Sequence, residues 1–171
     1  MRTLALVEFL TVDGVMQGLG SPDEDTDGGF SHGGWGAPFA AAIGQVMDPA
    51  ALGGTTGYLF GRRTYEKMAA FWPLQGDENP IAAHLNSTPK YVVSSTLSGS
   101  DWAGTTILRG DVFESVRGIK AAGEGSVTVL GSGVLSRALL AGGLVDELRL
   151  FLHPLLMGTG KRLFGDLPDP R

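Results

Sequence analysis

The sequence predicts an α/β protein in which helices cover both faces of a largely parallel β-sheet. Short apolar runs typical of buried strands alternate along the chain with segments whose apolar residues recur at helical spacing. The chain has 171 residues, the length of one domain, and 43% of them are hydrophobic, which is enough for a core. Residues 1–171 contain no internal repeat and no linker-like composition, so we expect a single domain.

Each predicted strand is short and apolar, and is bounded by glycine, proline or polar residues. The strands are expected at residues 2–10, 56–60, 90–95, 105–108, 126–130 and 146–152. Helices are expected at residues 38–47, 62–71 and 111–121, at 133–141 after a glycine turn, and as a short element at 80–86. Pro38 suits a first helical turn, Asp111 is a typical N-cap, and Gly142-Gly143 is a typical helix end.

The composition argues against several classes of protein. The 13 basic and 18 acidic residues give a formal net charge of −5, which disfavours a nucleic-acid surface. The absence of cysteine excludes disulfides, thiolate metal sites and cysteine nucleophiles, and it fits the cytoplasm, where we expect the protein. We expect no membrane span or signal peptide, and the three histidines are too far apart for a short zinc motif.

Glycine is unusually abundant: there are 27, whereas average usage of about 7% would give roughly 12. Eight of them lie in residues 11–36, together with the acidic stretch 23–27. Loops longer than about 12–15 residues are usually functional or disordered, so we interpret this segment as a mobile loop on the substrate side. His32 and Trp35 lie within it and are candidate lid residues, although Trp35 could equally cover the core.

The segment Gly61-Arg62-Arg63-Thr64 stands where a predicted strand becomes a helix. A helix N-terminus is partially positive, so each cation there is unfavourable by about 0.3–1 kcal/mol. A phosphate held by the helix N–H groups and an arginine would offset this. The alternative is that both arginines project into solvent or pair with the acidic loop.

Two more segments follow predicted strands. The hydroxyls of Ser94, Ser95 and Thr96 suit phosphate or ribose contacts, or form an ordinary turn. Gly131-Ser132-Gly133 would let a pyrophosphate approach the backbone at a helix start, or is simply a tight strand–helix turn. It is not a complete dinucleotide fingerprint, because Ser136 stands at the position of the third glycine.

Taken in order along the chain, these motifs resemble the dihydrofolate reductase-like superfamily. The chain is most similar to the reductase domain of bifunctional riboflavin biosynthesis proteins (RibD C-terminal type) and its stand-alone bacterial relatives. The resemblance implies a dihydrofolate reductase-like three-layer fold with a central, mostly parallel sheet. It spans nearly the whole chain and rests on the segments 11–14, 61–66, 91–95, 129–133, 143–148 and 158–164.

The resemblance further implies NADPH as hydride donor, a homodimer, and an activity similar to 5-amino-6-(5-phosphoribosylamino)uracil reductase. Residues 61–64 would hold the adenosine-side phosphates, and 94–96 would lie near the ribose 2′-phosphate. The pyrophosphate would be cradled by Gly131, Ser132, Gly133, Val134 and Leu135.

Asp13, in the Asp13-Gly14 turn, is the candidate catalytic residue, since it matches an aspartate at the substrate end in the riboflavin reductases. It would contact the substrate or relay a proton; the alternative is a simple turn residue. His32 and Trp35 would close over the nicotinamide, and Trp72 would line the substrate side.

Three departures from these families bear on the substrate. Leu130 replaces the glutamate that usually precedes the glycine pair in riboflavin reductases, and residues 37–47 lack the acid that binds pterin in dihydrofolate reductases. The chain also ends soon after Phe164, where family members usually continue into another strand. Two alternatives therefore stay open: a reductase of another substrate, and a nucleotide-binding module without turnover.

Overall fold

A computed structural model of the protein describes residues 1–47 and 54–165. Its strands are β1 (Thr3–Thr11), β2 (Thr55–Gly61), β3 (Lys90–Val93), β4 (Thr105–Leu108), β5 (Ser126–Leu130) and β6 (Glu147–His153). Within the described residues they form one six-stranded sheet in the order β4-β3-β2-β5-β1-β6. Every neighbouring pair is parallel, which confirms the predicted fold class.

The helices are α1 (Ala40–Val46), α2 (Arg62–Phe71), α3 (Pro80–Ser87), α4 (Val112–Ala121) and α5 (Gly133–Ala141). Asp111 caps α4 as predicted, because its carboxylate accepts a hydrogen bond from the Glu114 N–H at 2.9 Å. A short 3-10 turn, Ala37–Phe39, precedes α1 where the sequence predicted the helix to begin. None of the helices in residues 1–47 and 54–165 is long and apolar enough to cross a membrane.

The helices lie on both faces of the sheet, as alternation along β1 and β2 requires. Leu6 and Leu59 pack in one cluster with residues of α4 and α5. Val7 and Phe60 point the other way, into a second cluster with residues of α1, α2 and α3. The protein therefore has the three-layer arrangement that the sequence predicted.

The chain connections diverge between β2 and β5, which are neighbours in the sheet. The connection after β2 leads outward to β3, whereas the connection after β5 leads past β1 to β6 on the other side. Such a divergence leaves a crevice beyond the carboxyl ends of the two strands, where open α/β sheets bind their ligands.

Two sequence expectations differ from the structure. β3 ends at Val93 rather than at residue 95, because the Ser94 hydroxyl accepts hydrogen bonds from the backbone of Thr96 and Leu97 and turns the chain. The glycine-rich segment expected to be a mobile loop is packed: its residues Val15, Phe30 and Trp35 form a small third core, with Leu155 and Met157 packed against it.

Glycines permit this packing where the segment folds back on itself. A Cβ atom at Gly36 would lie 2.6 Å from the Leu19 carbonyl oxygen, so no larger residue fits there without a shift. The end of the chain noted in the sequence, residues 166–171, lies outside the described residues.

Candidate functional site

The crevice between β2 and β5 brings together two of the three predicted phosphate-binding segments. The backbone N–H of Gly61 donates to the Ser132 hydroxyl at 2.9 Å, and that hydroxyl donates to the Thr64 hydroxyl at 2.7 Å. Ser132 adopts a left-handed conformation, with φ of 70° and ψ of 71°. The start of α2 and the start of α5 are thus joined by one side chain.

Both helix starts leave backbone donors available. The N-cap residues, Gly61 for α2 and Ser132 for α5, make no side-chain capping hydrogen bond to their own helices. The first-turn N–H groups of a helix have no partner within that helix, so they and the helix dipole favour an anion. Two such starts at one crevice fit a ligand with more than one phosphate.

Gly131 is required to form the turn between β5 and α5. Its φ of +64° is a conformation that L side chains rarely adopt, and an added Cβ atom would lie 3.3 Å from the Thr64 side chain. The glycine therefore lets the chain turn sharply and keeps the surface beside Thr64 open.

The two arginines are held by acidic side chains in this structure. Arg62 pairs with Glu66 at 2.9 Å, one turn further along α2. Arg63 pairs with Asp27 of the glycine-rich segment, and Asp27 also contacts the Lys161 ammonium at 2.8 Å. The pairing with the acidic loop that the sequence left open is thus present for Arg63.

These ion pairs shift ionisation at the crevice. Hydrogen bonds from Lys161 and Arg63, with their positive charges, lower the pKa of Asp27 to about 2. The hydrogen bond to Asp27 and its negative charge raise the pKa of Arg63. Because both side chains are more than half exposed, solvent screens the pair, so it adds little to stability and can exchange partners.

The third predicted segment, residues 94–96, lies at the end of β3, beside β2. Ser94 is buried and its hydroxyl is used in the turn, whereas Ser95 and Thr96 are exposed. Arg109, which follows β4, donates to the Ser95 carbonyl oxygen at 3.2 Å. Sequence reasoning missed this cation, although its position directly after a strand was the signal used for Arg62 and Arg63.

A separate cavity of about 280 Å³ opens between α1 and the carboxyl ends of β1 and β6. In the sheet register Val7 lies beside Leu130, and Phe9 lies beside Phe151, so this cavity is one strand away from the crevice. It is lined by Phe9, Phe39, Ala42, Ile43, Leu150, Phe151, Leu152, His153 and Pro154. We call it the aromatic cavity.

His153 is the polar member of the aromatic cavity, and it is buried. Its ring lies edge-on to Trp35 and Phe39, with centroid separations of 5.1 and 4.9 Å. Its Nδ1 atom is 3.2 Å from the Leu10 carbonyl oxygen, which can only accept. No local sequence pattern marks this site, because its rings come from distant segments.

Of the residues predicted on the substrate side, Trp35 lies beside this cavity. Its Nε1 donates to the Gln17 carbonyl oxygen at 2.7 Å, which holds the indole against His153. His32 is exposed and contacts the Phe30 ring. It lines a different cavity, of about 320 Å³, together with Gln17 and Lys161.

Asp13 lies in a turn where its carboxylate is engaged in hydrogen bonds, and its catalytic role stays a prediction. Its carboxylate accepts the backbone N–H groups of Met157 and Gly158 at 3.1 and 2.8 Å and a hydrogen bond from the Thr11 hydroxyl at 2.6 Å. These bonds hold the pKa of Asp13 far below its ordinary value. A carboxylate that stays ionised and fully engaged is poorly suited to relay protons.

Trp72 lies at the amino ends of the strands, whereas the predicted site lies at their carboxyl ends. Helix α2 starts at the carboxyl end of β2 and runs back along the sheet, which carries its last residues to the amino end. There the Trp72 carbonyl oxygen accepts from Asn86, whose own carbonyl accepts from Lys90 at the start of β3. Trp72 therefore does not line the substrate side.

Glu8 is a buried acid that the sequence reasoning did not select. It lies on β1 beneath α5, and the Ser136 hydroxyl donates to it at 3.0 Å. Burial raises the pKa of Glu8 to about 7. The sequence signal that could have identified Glu8 is its position as a single acid inside an otherwise apolar strand.

The structure is that of an α/β protein with two helix starts meeting at the switch point of its parallel sheet. The chain belongs to the RibD C-terminal domain family, whose model matches residues 2–171. This confirms the family that the motifs indicated.

The chain is similar in sequence to the uncharacterized protein YyaP of Bacillus subtilis. It is 30% identical over 112 residues, which make up 64% of this chain and 59% of that protein. The match thus spans less than two thirds of the relative's length.

Two solved structures show the same fold. A putative riboflavin biosynthesis protein from Shewanella superposes with a TM-score of 0.64 at 20% identity, over 99% of this chain and 86% of that one. Dihydrofolate reductase from Enterococcus faecalis, complexed with NADP(H), superposes with a TM-score of 0.54 at 16% identity, over 97% and 79%. The dihydrofolate reductase-like fold is therefore confirmed.

Proposed function

We propose that the protein is an NADPH-dependent reductase of a small heterocyclic substrate. The observation that carries the proposal is the junction of two uncapped helix starts at the β2–β5 crevice, flanked by Arg62 and Arg63. Family membership and the NADP(H) bound by the Enterococcus enzyme of the same fold support it. When bound, NADPH supplies the hydride.

The residues of the crevice would hold the cofactor by its charged half. The first-turn N–H groups of residues 133–135 would bind the pyrophosphate, and those of residues 62–64 the adenosine-side phosphates. Ser95, Thr96 and Arg109 stand together beyond β3 and β4, where a ribose 2′-phosphate would meet both hydroxyls and a cation. This arrangement favours NADPH over NADH.

The substrate half of the site would be the aromatic cavity, one strand away. Reduction of 5-amino-6-(5-phosphoribosylamino)uracil in riboflavin biosynthesis is the reaction that the family suggests, and Leu130 is the residue that departs from it. A cytoplasmic homodimer belongs to the same proposal. The exposed Leu148 and Leu152 on β6, an edge strand of the described sheet, support an apolar contact between subunits.

Thermal unfolding with NADPH and with NADH tests the cofactor assignment. A ligand at 100 times its Kd adds about 2.7 kcal/mol to the free energy of unfolding, which is readily measured. We expect a larger shift in melting temperature with NADPH, and loss of that shift in a variant carrying Arg62→Ala and Arg63→Ala. Arg117→Ala, which removes an exposed arginine paired with Glu114 on α4, is the matched control.

Equal shifts with the two cofactors would contradict the 2′-phosphate assignment. Turnover is measured separately, as oxidation of NADPH in the presence of pyrimidine, pterin and quinone substrates. Cofactor binding without turnover of any of them would favour the nucleotide-binding module.

A further inference from the structure

The aromatic cavity has one polar side chain in an apolar wall. Its other described lining residues are aromatic or aliphatic, or proline. Phe9 and Phe151 stack at 5.1 Å with 24° between their planes and form one wall. A ligand in this cavity would therefore meet flat apolar surfaces and a single hydrogen-bonding group, His153.

The hydrogen bond to Leu10 fixes what His153 can offer. The Leu10 carbonyl oxygen can only accept, so Nδ1 carries a proton and donates to it. In the neutral imidazole Nε2 then holds a lone pair. Among residues 1–47 and 54–165, Nε2 has no hydrogen-bond partner. Nε2 is also not one of the fully buried polar side-chain atoms that lack a partner in that part of the chain.

We propose that His153 is the specificity-determining contact of this cavity, and that its Nε2 accepts a hydrogen bond from a ring N–H of a flat, uncharged heterocycle. The aromatic walls and the absence of charge in the lining favour a neutral ring, because an unpaired charge is costly to bury in such surroundings. A volume of about 280 Å³ fits one or two fused rings.

This inference rests on the proposed function only in taking the ring to be the substrate; binding of the ring needs no cofactor. It differs from recognition by a carboxylate, since neither an acid nor a base other than His153 lines the described cavity. A buried acceptor left unpaired loses affinity, so ligands with an N–H are preferred over otherwise similar ligands that lack one.

Calorimetric titration with lumazine and with 1,3-dimethyllumazine tests the assignment. Both are flat, uncharged two-ring compounds, but the second has methyl groups in place of its ring N–H groups. We expect lumazine to bind the intact protein at least about tenfold more tightly. In His153→Asn, whose amide can keep the bond to Leu10, we expect the affinity for lumazine to fall about tenfold and the preference to disappear.

His84→Asn is the matched control, because His84 bonds Tyr58 on β2, which β5 separates from β1 and the cavity. Circular dichroism establishes that each variant is folded, and His153→Phe replaces His153→Asn if the latter is not. An unchanged preference in the folded variant, or no binding of lumazine to the intact protein, would overturn the proposal. NADPH-induced thermal shifts on the same samples report the cofactor site separately, so the two proposals can fail independently.

Discussion

The crevice and the aromatic cavity lie one strand apart at the same edge of the sheet, yet they are built on opposite principles. The crevice is polar and cationic, and its described donors are backbone N–H groups, hydroxyls and arginines. The aromatic cavity is apolar, with His153 as its single polar side chain. One end of the sheet thus carries a polar, charged region and an apolar region side by side.

The two regions also differ in how firmly their parts are fixed. Arg63 and Asp27 meet as exposed ions, whose attraction is weak and screened by salt. Trp35 and His153 are buried against each other and are fixed by close packing. We therefore expect substitutions in the cavity to change stability strongly, and substitutions of charge at the crevice to change mainly ligand affinity.

Trp35→Ala is expected to have the largest effect on stability. Removal of the buried indole leaves a void and breaks its bond to Gln17, which should lower the free energy of unfolding by about 3–5 kcal/mol. Urea denaturation measures the change. Trp72→Ala is the control: Trp72 is only partly buried, so the loss should be clearly smaller.

If Trp35→Ala and Trp72→Ala lower the free energy of unfolding equally, the indole of Trp35 is not packed as firmly against His153 as the structure indicates. NADPH binding gives a second readout on the same variants. It should persist in any Trp35→Ala protein that remains folded, because the residues proposed to bind phosphate belong to the other region.

The contrast between the two regions explains what the sequence could predict. The crevice is formed by contiguous segments after strands, 61–64 and 131–135, so its residues could be selected from local patterns. The cavity takes single residues such as Phe9, Phe39 and His153 from separated segments, and only strand register brings them together. The sheet order that sets this register was not predicted.

The engagement of Asp13 in a turn and the position of Trp72, neither of which the sequence indicated, have the same physical origin. The role of Asp13 depends on backbone N–H groups more than 140 positions away, at Met157 and Gly158. The position of Trp72 depends on the direction in which α2 runs back along the sheet. Neither can be seen in the residues that surround them in sequence.

Glu8 provides the second prediction, because it lies next to Phe9 on β1 but faces the opposite side, beneath α5. Its pKa rises from 4.5 to about 7 on folding, so the folded protein binds this proton more tightly than the unfolded chain does. The free energy of unfolding should therefore fall as pH rises from about 4.5 to about 7, by on the order of 3 kcal/mol, and then level off.

Urea denaturation at about pH 5 and about pH 8 measures this dependence, and Glu8→Gln isolates it because the amide cannot ionise. The variant should lose most of the difference between the two pH values, whereas Glu114→Gln, at an exposed position on α4, should keep it. The same pH dependence in Glu8→Gln and in the parent protein would show that other groups are responsible. The affinity for lumazine should be unchanged in Glu8→Gln, because the aromatic cavity lies on the other face of β1.

Asp27→Asn is expected to have the smallest effect on stability, because the carboxylate is half exposed and solvent screens its ion pairs. It should nevertheless tighten NADPH binding several-fold, since Asp27 competes with a phosphate for Arg63. Titration calorimetry measures the affinity. Asp23→Asn is the control, because Asp23 accepts from Ser21 within the same segment. Weaker binding in Asp27→Asn alone would mean that the Asp27–Arg63 pair holds the arginine in place for the cofactor instead of competing with it, and the glycine-rich segment would then be part of the cofactor site.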